Sequence, residues 1–144
     1  MEIYSGALDT KAILNNWYEK ERMLNNGAFI TFVGIVRQGE DADGLSFDVH
    51  EPLLLKWFDT WQKRAGEQGA KVLMAHSKGD VMAHETSFIA GVCSRHRKAA
   101  LALINDFVED FKANAPIWKY DIKGNERVYA KERSKAIIGA GLLG

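Results

Sequence analysis

Two lysines bracket a proline in Lys112-Ala-Asn-Ala-Pro-Ile-Trp-Lys119. Pro116 has no amide hydrogen to donate and pushes Ala115 out of helical geometry, so a helix arriving from the N-terminal side must end there. Lys112 then stands on the last helical turn and Lys119 on the extended segment that follows, which lets two different elements deliver both ammonium groups to one cleft. Paired ammonium groups suit chemistry in which an anion or a developing oxyanion must be held. Spacing alone favours a plainer reading, in which Lys112 complements the helix dipole and both side chains are solvated.

The second stretch with chemical content is Ser94-Arg-His-Arg-Lys98. Ser94 is a natural N-cap for a helix whose apolar stripe is Ala100, Leu103, Ile104, Phe107, Val108 and Phe111. Arg95, His96, Arg97 and Lys98 then oppose the dipole in its first turn, at a cost of about 0.3 to 1 kcal/mol that a bound anion would remove. Free amides beside arginine and histidine are what a phosphate or carboxylate needs. An anion site and a tolerated basic turn weigh equally on these residues alone. Arg37, directly after a strand, is a further candidate cation, though a lone arginine at a strand end is usually a surface residue. His76 and His84 lack paired metal-ligand spacing and read as structural or surface residues.

The elements that must position these residues follow from periodicity. Asp9 caps a helix reaching Met23, with Ile13, Leu14, Trp17 and Tyr18 at helical spacing. Residues 28–36 are the clearest strand, and Gly34 inside it predicts a bulge or a close backbone approach. Gln38 to Gly44 is a polar, acidic loop, and the alternating strand from Leu45 to His50 is expected to form one hairpin with the segment ending at Arg37. Pro52 opens a helix with Leu54, Leu55, Phe58 and Trp61 on one face, up to Gly66 and Gly69. Lys71 to His76 and Thr86 to Cys93 read as strands, with a turn at Ser77-Lys-Gly-Asp80, and residues 120–122 and 127–130 as two short strands around Lys123-Gly-Asn-Glu126. Strands and helices alternate without a strict βαβ rhythm, which predicts an α+β domain with a mixed or antiparallel sheet and packed helices.

A chain of 144 residues, 47% of them hydrophobic, suffices for one domain with a core of its own over residues 1–144. Formal net charge is zero, which argues against a general nucleic-acid or membrane binder. The charge is unevenly placed: residues 1–92 hold 9 Lys and Arg against 13 Asp and Glu, residues 93–135 hold 10 against 6. The second part has the charge for a local anion site, and a solvated basic surface accounts for the count equally well. Cys93, alone, excludes an internal disulfide and a cysteine-built cluster. With no long apolar run and no signal-like start, a soluble cytoplasmic protein is expected. The tail at 136–144 is apolar and glycine-spaced, either docked or loose. It ends Leu-Leu-Gly, not in the paired glycines of a ubiquitin-like carrier.

Taken together, Thr31-Phe-Val-Gly-Ile-Val-Arg37, Ser94-Arg-His-Arg97 and Lys112-Ala-Asn-Ala-Pro-Ile-Trp-Lys119 resemble the catalytic, larger subunit of molybdopterin synthase, in order and spacing, over nearly the whole chain. The resemblance implies an α/β hammerhead-type fold and a homodimer flanked by two small ubiquitin-like sulfur-carrier subunits in a heterotetramer. It implies sulfur transfer from the carrier's C-terminal thiocarboxylate to cyclic pyranopterin monophosphate, forming the dithiolene of molybdopterin, with no metal or other cofactor. By position, Lys112 and Lys119 match the catalytic lysines, and Ile35, Val36, Arg37, His96, Arg97, Tyr120 and Asp121 join them as substrate-binding residues. The chain departs from the family pattern at Phe47-Asp-Val-His50 and at Lys119-Tyr120. Two other readings stay open at this level. One is a non-catalytic scaffold for a ubiquitin-like tail; the other is a small nucleotide- or nucleic-acid-binding domain, which lacks a glycine-rich phosphate loop.

Overall fold

A computed structural model describes residues 1–130, and the predicted tail at 136–144 lies outside them. The described elements run β1 (Glu2–Ser5), α1 (Thr10–Glu21), β2 (Ala28–Ile35), β3 (Gly44–Val49), α2 (Glu51–Glu67), β4 (Ala70–Met82), β5 (Thr86–Ser94), α3 (Arg97–Asn114), β6 (Ile117–Lys123) and β7 (Glu126–Tyr129). This is an α+β fold. Its sheet has the order β2-β5-β4-β3-β6-β7, all antiparallel, with β1 added parallel to β4.

Alternation along the strands sorts the core into two layers. Val72 and Met74 of β4, with Phe88, Ala90 and Val92 of β5, face α2 and α3 and meet Leu54, Phe58, Trp61, Leu103 and Phe107. Ala75 and Ile89 face the other way and meet Ile13 and Trp17 of α1. The α2–α3 pair is pinned by one carboxylate, since Asp110 Oδ2 accepts from Trp57 Nε1 at 2.8 Å and from Trp61 Nε1 at 2.7 Å. Both indoles are thereby satisfied in an apolar interface that would otherwise penalise an orphaned N–H.

The helix starts follow their caps. Asp9 accepts from the Ala12 amide at 3.1 Å, and His50 Nδ1 from the Leu53 amide at 3.2 Å, one residue ahead of Glu51-Pro52. Ser94 is not the N-cap of α3: it closes β5, and His96 takes the cap position without a side-chain bond. The Ser94 hydroxyl still accepts from the Ala100 amide at 3.2 Å, so its chemistry is used from two residues further back.

Long-range pairing overrides two local expectations. Residues 77–80 are not a turn, because β1 pairs with Ala75–Lys78 and β3 with Gly79–Met82. Gly79, at φ 79°, bends β4 without ending it, a conformation that suits glycine. Nor do β2 and β3 form a hairpin. The segment between them crosses the end of the β4–β5 hairpin, where the His84 amide donates to Val36 O and the Ala83 amide to Asp43 O. β3 lies instead between β4 and β6. The bulge expected at Gly34 is present as a register shift between Gly34 and Ile35 against β5, and it turns the chain towards Arg37.

Candidate active site

α3 stops at Asn114, and Ala115 is extended at φ −64°, ψ 136°, as the following proline requires. Ile117 opens β6, and Lys119 lies opposite Phe47 of β3. Ile117, Lys119 and Asp121 share one face of β6, while Trp118 and Tyr120 point to the other. The first face closes against the end of α3 and the segment after β2 around a cavity of about 520 Å³, a usual size for a small-molecule site. Ile35, Val36, Arg37, Lys112, Lys119 and Asp121 all line it.

One wall of the cavity is aromatic. Phe88 and Phe111 stack with ring centroids 3.9 Å apart and planes 12° from parallel, and Phe47 meets the His76 ring edge-on at 4.9 Å. Lys112 Nζ lies 6.0 Å from the Phe88 ring centroid, at the limit of a cation–π contact. Although Lys112 is exposed overall, partial burial against this wall lowers its pKa; the Arg37 guanidinium lowers it further, and the Glu109 carboxylate opposes both. A cation held this way gives up its proton more readily than a solvated lysine. The remaining rim is the acidic loop, which brings Gln38, Gly39, Glu40 and Ala42 to the cavity. Gln38 Nε2 fixes its shape by donating to Ala42 O at 3.1 Å and Gly39 O at 3.2 Å.

Three residues expected at the site are elsewhere in this chain. Tyr120 packs on Tyr129 at 5.6 Å beneath the Arg127 guanidinium, because strand alternation turns it away from Lys119. His96 and Arg97 are exposed at the start of α3. Lys112 is fifteen positions further along that helix, which at 1.5 Å per residue separates Arg97 from it by about 22 Å. One chain cannot bring both ends of α3 to one small anion.

The expectations also missed His76, which lines the cavity between the aromatic rings. A signal was there: on a strand running Val72, Met74, His76, the histidine falls on the apolar face. Glu40 carried no such signal, since its place depends on how the loop crosses the β4–β5 hairpin. Among the described residues no three His, Cys, Asp or Glu side chains are grouped to hold a metal ion.

The family model described as MoaE protein matches residues 4–114. The chain belongs to the MoaE family, that of the molybdopterin synthase catalytic subunit. Its enzyme class and its place in molybdenum cofactor biosynthesis follow from that membership. The chain is 49% identical over 143 residues to the molybdopterin synthase catalytic subunit of Helicobacter pylori strain 26695, covering 99% of each. It is 34% identical over 103 residues to that of Vibrio cholerae, covering 67% of each. Among solved structures it is similar to a complex of subunits 1 and 2 of molybdopterin-converting factor from Helicobacter pylori 26695, with a TM-score of 0.92 and 49% identity over 99% of this chain and 98% of that one. Molybdopterin synthase from Staphylococcus aureus shares the fold at a TM-score of 0.76 and 22% identity, over 89% of this chain and 94% of that one. The MoaE match counts against a non-catalytic scaffold. A nucleic-acid domain fits no better, because the basic start of α3 and the cationic cavity lie at opposite ends of one helix and form no continuous stripe.

Proposed function

We propose that this MoaE chain transfers sulfur from the thiocarboxylated C-terminus of a small ubiquitin-like carrier subunit to cyclic pyranopterin monophosphate. Each transfer forms a carbon–sulfur bond on the pterin as a carbon–oxygen bond there breaks, and water then attacks the acyl carbon and breaks its bond to that sulfur, leaving the carrier as its carboxylate; two such transfers complete the dithiolene. The observation that carries this reading is that Lys112 and Lys119, from either side of the Pro116 break, line one cavity with Arg37. Three cationic side chains around an aromatic wall suit a flat, anionic substrate and an anionic sulfur donor together.

In this reading Lys119 stabilises the oxyanion that develops as sulfur bonds and the acyl carbon is attacked. Lys112, with its lowered pKa, hands its proton to the oxygen that departs from the pterin. Arg37 and the backbone of Ile35 and Val36 hold the substrate, and Asp121 borders the same cavity from β6. The sulfur arrives on the carrier, so these residues need supply only charge and protons, and no resident cofactor enters the scheme. The carrier's docking is supported by the relative from Helicobacter pylori, whose structure is a complex of both subunits.

His96 and Arg97 enter the scheme from a second copy of the chain. A symmetric dimer places the start of one α3 near the end of the other when the helices run past each other in opposite directions, which answers the about 22 Å separation within one copy. The assembly is then a homodimer with a carrier at each end. The test is incubation of the purified protein with thiocarboxylated carrier and cyclic pyranopterin monophosphate, scored for dithiolene product. Product is expected with the unaltered chain, and its absence with both substrates intact would overturn the reading.

A further inference from the structure

His76 is 2% exposed, yet it is a wall of the cavity. Its ring is boxed by Phe47 at 4.9 Å, Phe111 at 5.4 Å and Phe88 at 5.7 Å. Its Nδ1 lies 2.6 Å from the Ser77 carbonyl oxygen. A carbonyl oxygen only accepts, so Nδ1 carries the hydrogen, and in a neutral imidazole Nε2 is then a lone-pair acceptor. Burial pushes the imidazolium form out of reach, lowering the pKa to about 4 against the opposing Ser77 carbonyl, and the charges of Lys112 and Lys119 add to the lowering.

The cavity around this ring is rich in groups that can only donate: Lys112 from α3, Lys119 from β6 and Arg37 from the segment after β2. Asp121 and Glu40 are its ionisable acceptors. A neutral acceptor does something a carboxylate cannot. It orients an ammonium hydrogen without cancelling the charge that the reaction uses. Lys112 bears more strongly on His76 than Lys119 does, and both Lys112 Nζ and His76 flank the Phe88 ring, at 6.0 Å and 5.7 Å from its centroid.

We infer that His76 is a positioning residue for this site: with Nδ1–H fixed on the Ser77 carbonyl, its Nε2 accepts a hydrogen from the Lys112 ammonium and aims it into the cavity. The inference rests on the sulfur-transfer reading for what Lys112 then does, but the contact itself can be tested without turnover. The three aromatic rings prevent imidazole rotation, and the long lysine stem supplies the adjustment.

The experiment combines kinetics with nitrogen NMR of the full chain. His76→Phe keeps the aromatic box and removes the acceptor, while His76→Gln restores an acceptor near the Nε2 position. His76→Phe is expected to lower kcat about tenfold or more with KM within about twofold, and His76→Gln to recover most of that loss. In a Lys112→Ala background His76→Phe should cost nothing further, because the two act as one unit. By NMR, His76 should be the neutral Nδ1–H tautomer at neutral pH, and Lys112→Ala should move its Nε2 resonance. An unchanged kcat in His76→Phe, or losses that multiply with Lys112→Ala, would overturn the inference. So would an Nε2–H tautomer or an Nε2 resonance blind to Lys112, and that arm decides even where His76→Phe does not fold. Failure of the unaltered chain to make product would count against the sulfur-transfer reading and leave the NMR result to judge His76.

Discussion

Two inactive variants, mixed, should make an active enzyme. Arg97 and Lys112 occupy the first and sixteenth positions of an 18-residue helix, so their Cα atoms are about 22 Å apart along its axis, farther than two side chains can span to share one phosphate. If Arg97 completes the cavity of a second copy, a dimer of one Lys119→Ala chain and one Arg97→Ala chain holds one cavity with both defects and one with neither. Random exchange makes half of all dimers of this kind, so a 1:1 mixture should recover about a quarter of the unaltered rate from two nearly silent parents. The assay is dithiolene formation with saturating thiocarboxylated carrier, after the variants are unfolded and refolded together, with each refolded alone as a control. His96→Ala should complement Lys119→Ala in the same way. A mixture no more active than its parents, with dimers demonstrably exchanged, would refute the reasoning and return Arg97 to its own chain or to plain solvent.

Further outcomes are expected for the two lysines, Asp110 and His76. Lys119→Ala should abolish product while leaving the melting temperature within a few degrees of the unaltered chain, and Lys112→Ala should slow turnover severely; activity near normal in either would remove that lysine from the mechanism. Asp110→Ala breaks two indole hydrogen bonds to a carboxylate and should lower stability by about 2 to 4 kcal/mol in urea denaturation, whereas a loss below about 0.5 kcal/mol would mean that the indoles find other partners. His76 is neutral when folded, with a pKa of about 4 against 6.5 in the free side chain. The unfolded chain therefore binds the extra proton, and stability should fall by on the order of 3 kcal/mol as pH drops from about 6.5 through about 4. His76→Phe should flatten that part of the curve.

The parts legible in the sequence are those where local chemistry has no competitor. Pro116 ends α3 wherever the helix goes, and Asp9 caps α1 because its side chain needs only the Ala12 amide. Ala28 to Ile35 is a strand by composition, and Gly34 marks its bulge. Strand neighbours are another matter. β2 and β3 are consecutive, but the β4–β5 hairpin supplies better partners for both, and no local pattern announces that. Polar Ser77 to Asp80 looks like a turn until two other strands are found to pair with it. β1 is only four residues long and offers too little pattern to stand out. At the site, the two lysines and Arg37 were visible because a motif carries them. His76 was not, since a histidine on an apolar strand face is chemically informative only once its neighbours are known.

The pin between the helices has a consequence for anyone reading a mutational scan. Asp110 sits two residues ahead of Lys112, on the final turns of the same helix, and its grip on Trp57 and Trp61 sets where that end of the helix lies over the sheet. Losing it frees the lysine's base to drift before the rest of the molecule loosens. A lesion at either tryptophan, neither of which lines the cavity, would then masquerade as a chemical defect, with turnover failing at temperatures where spectroscopy still reports an intact protein.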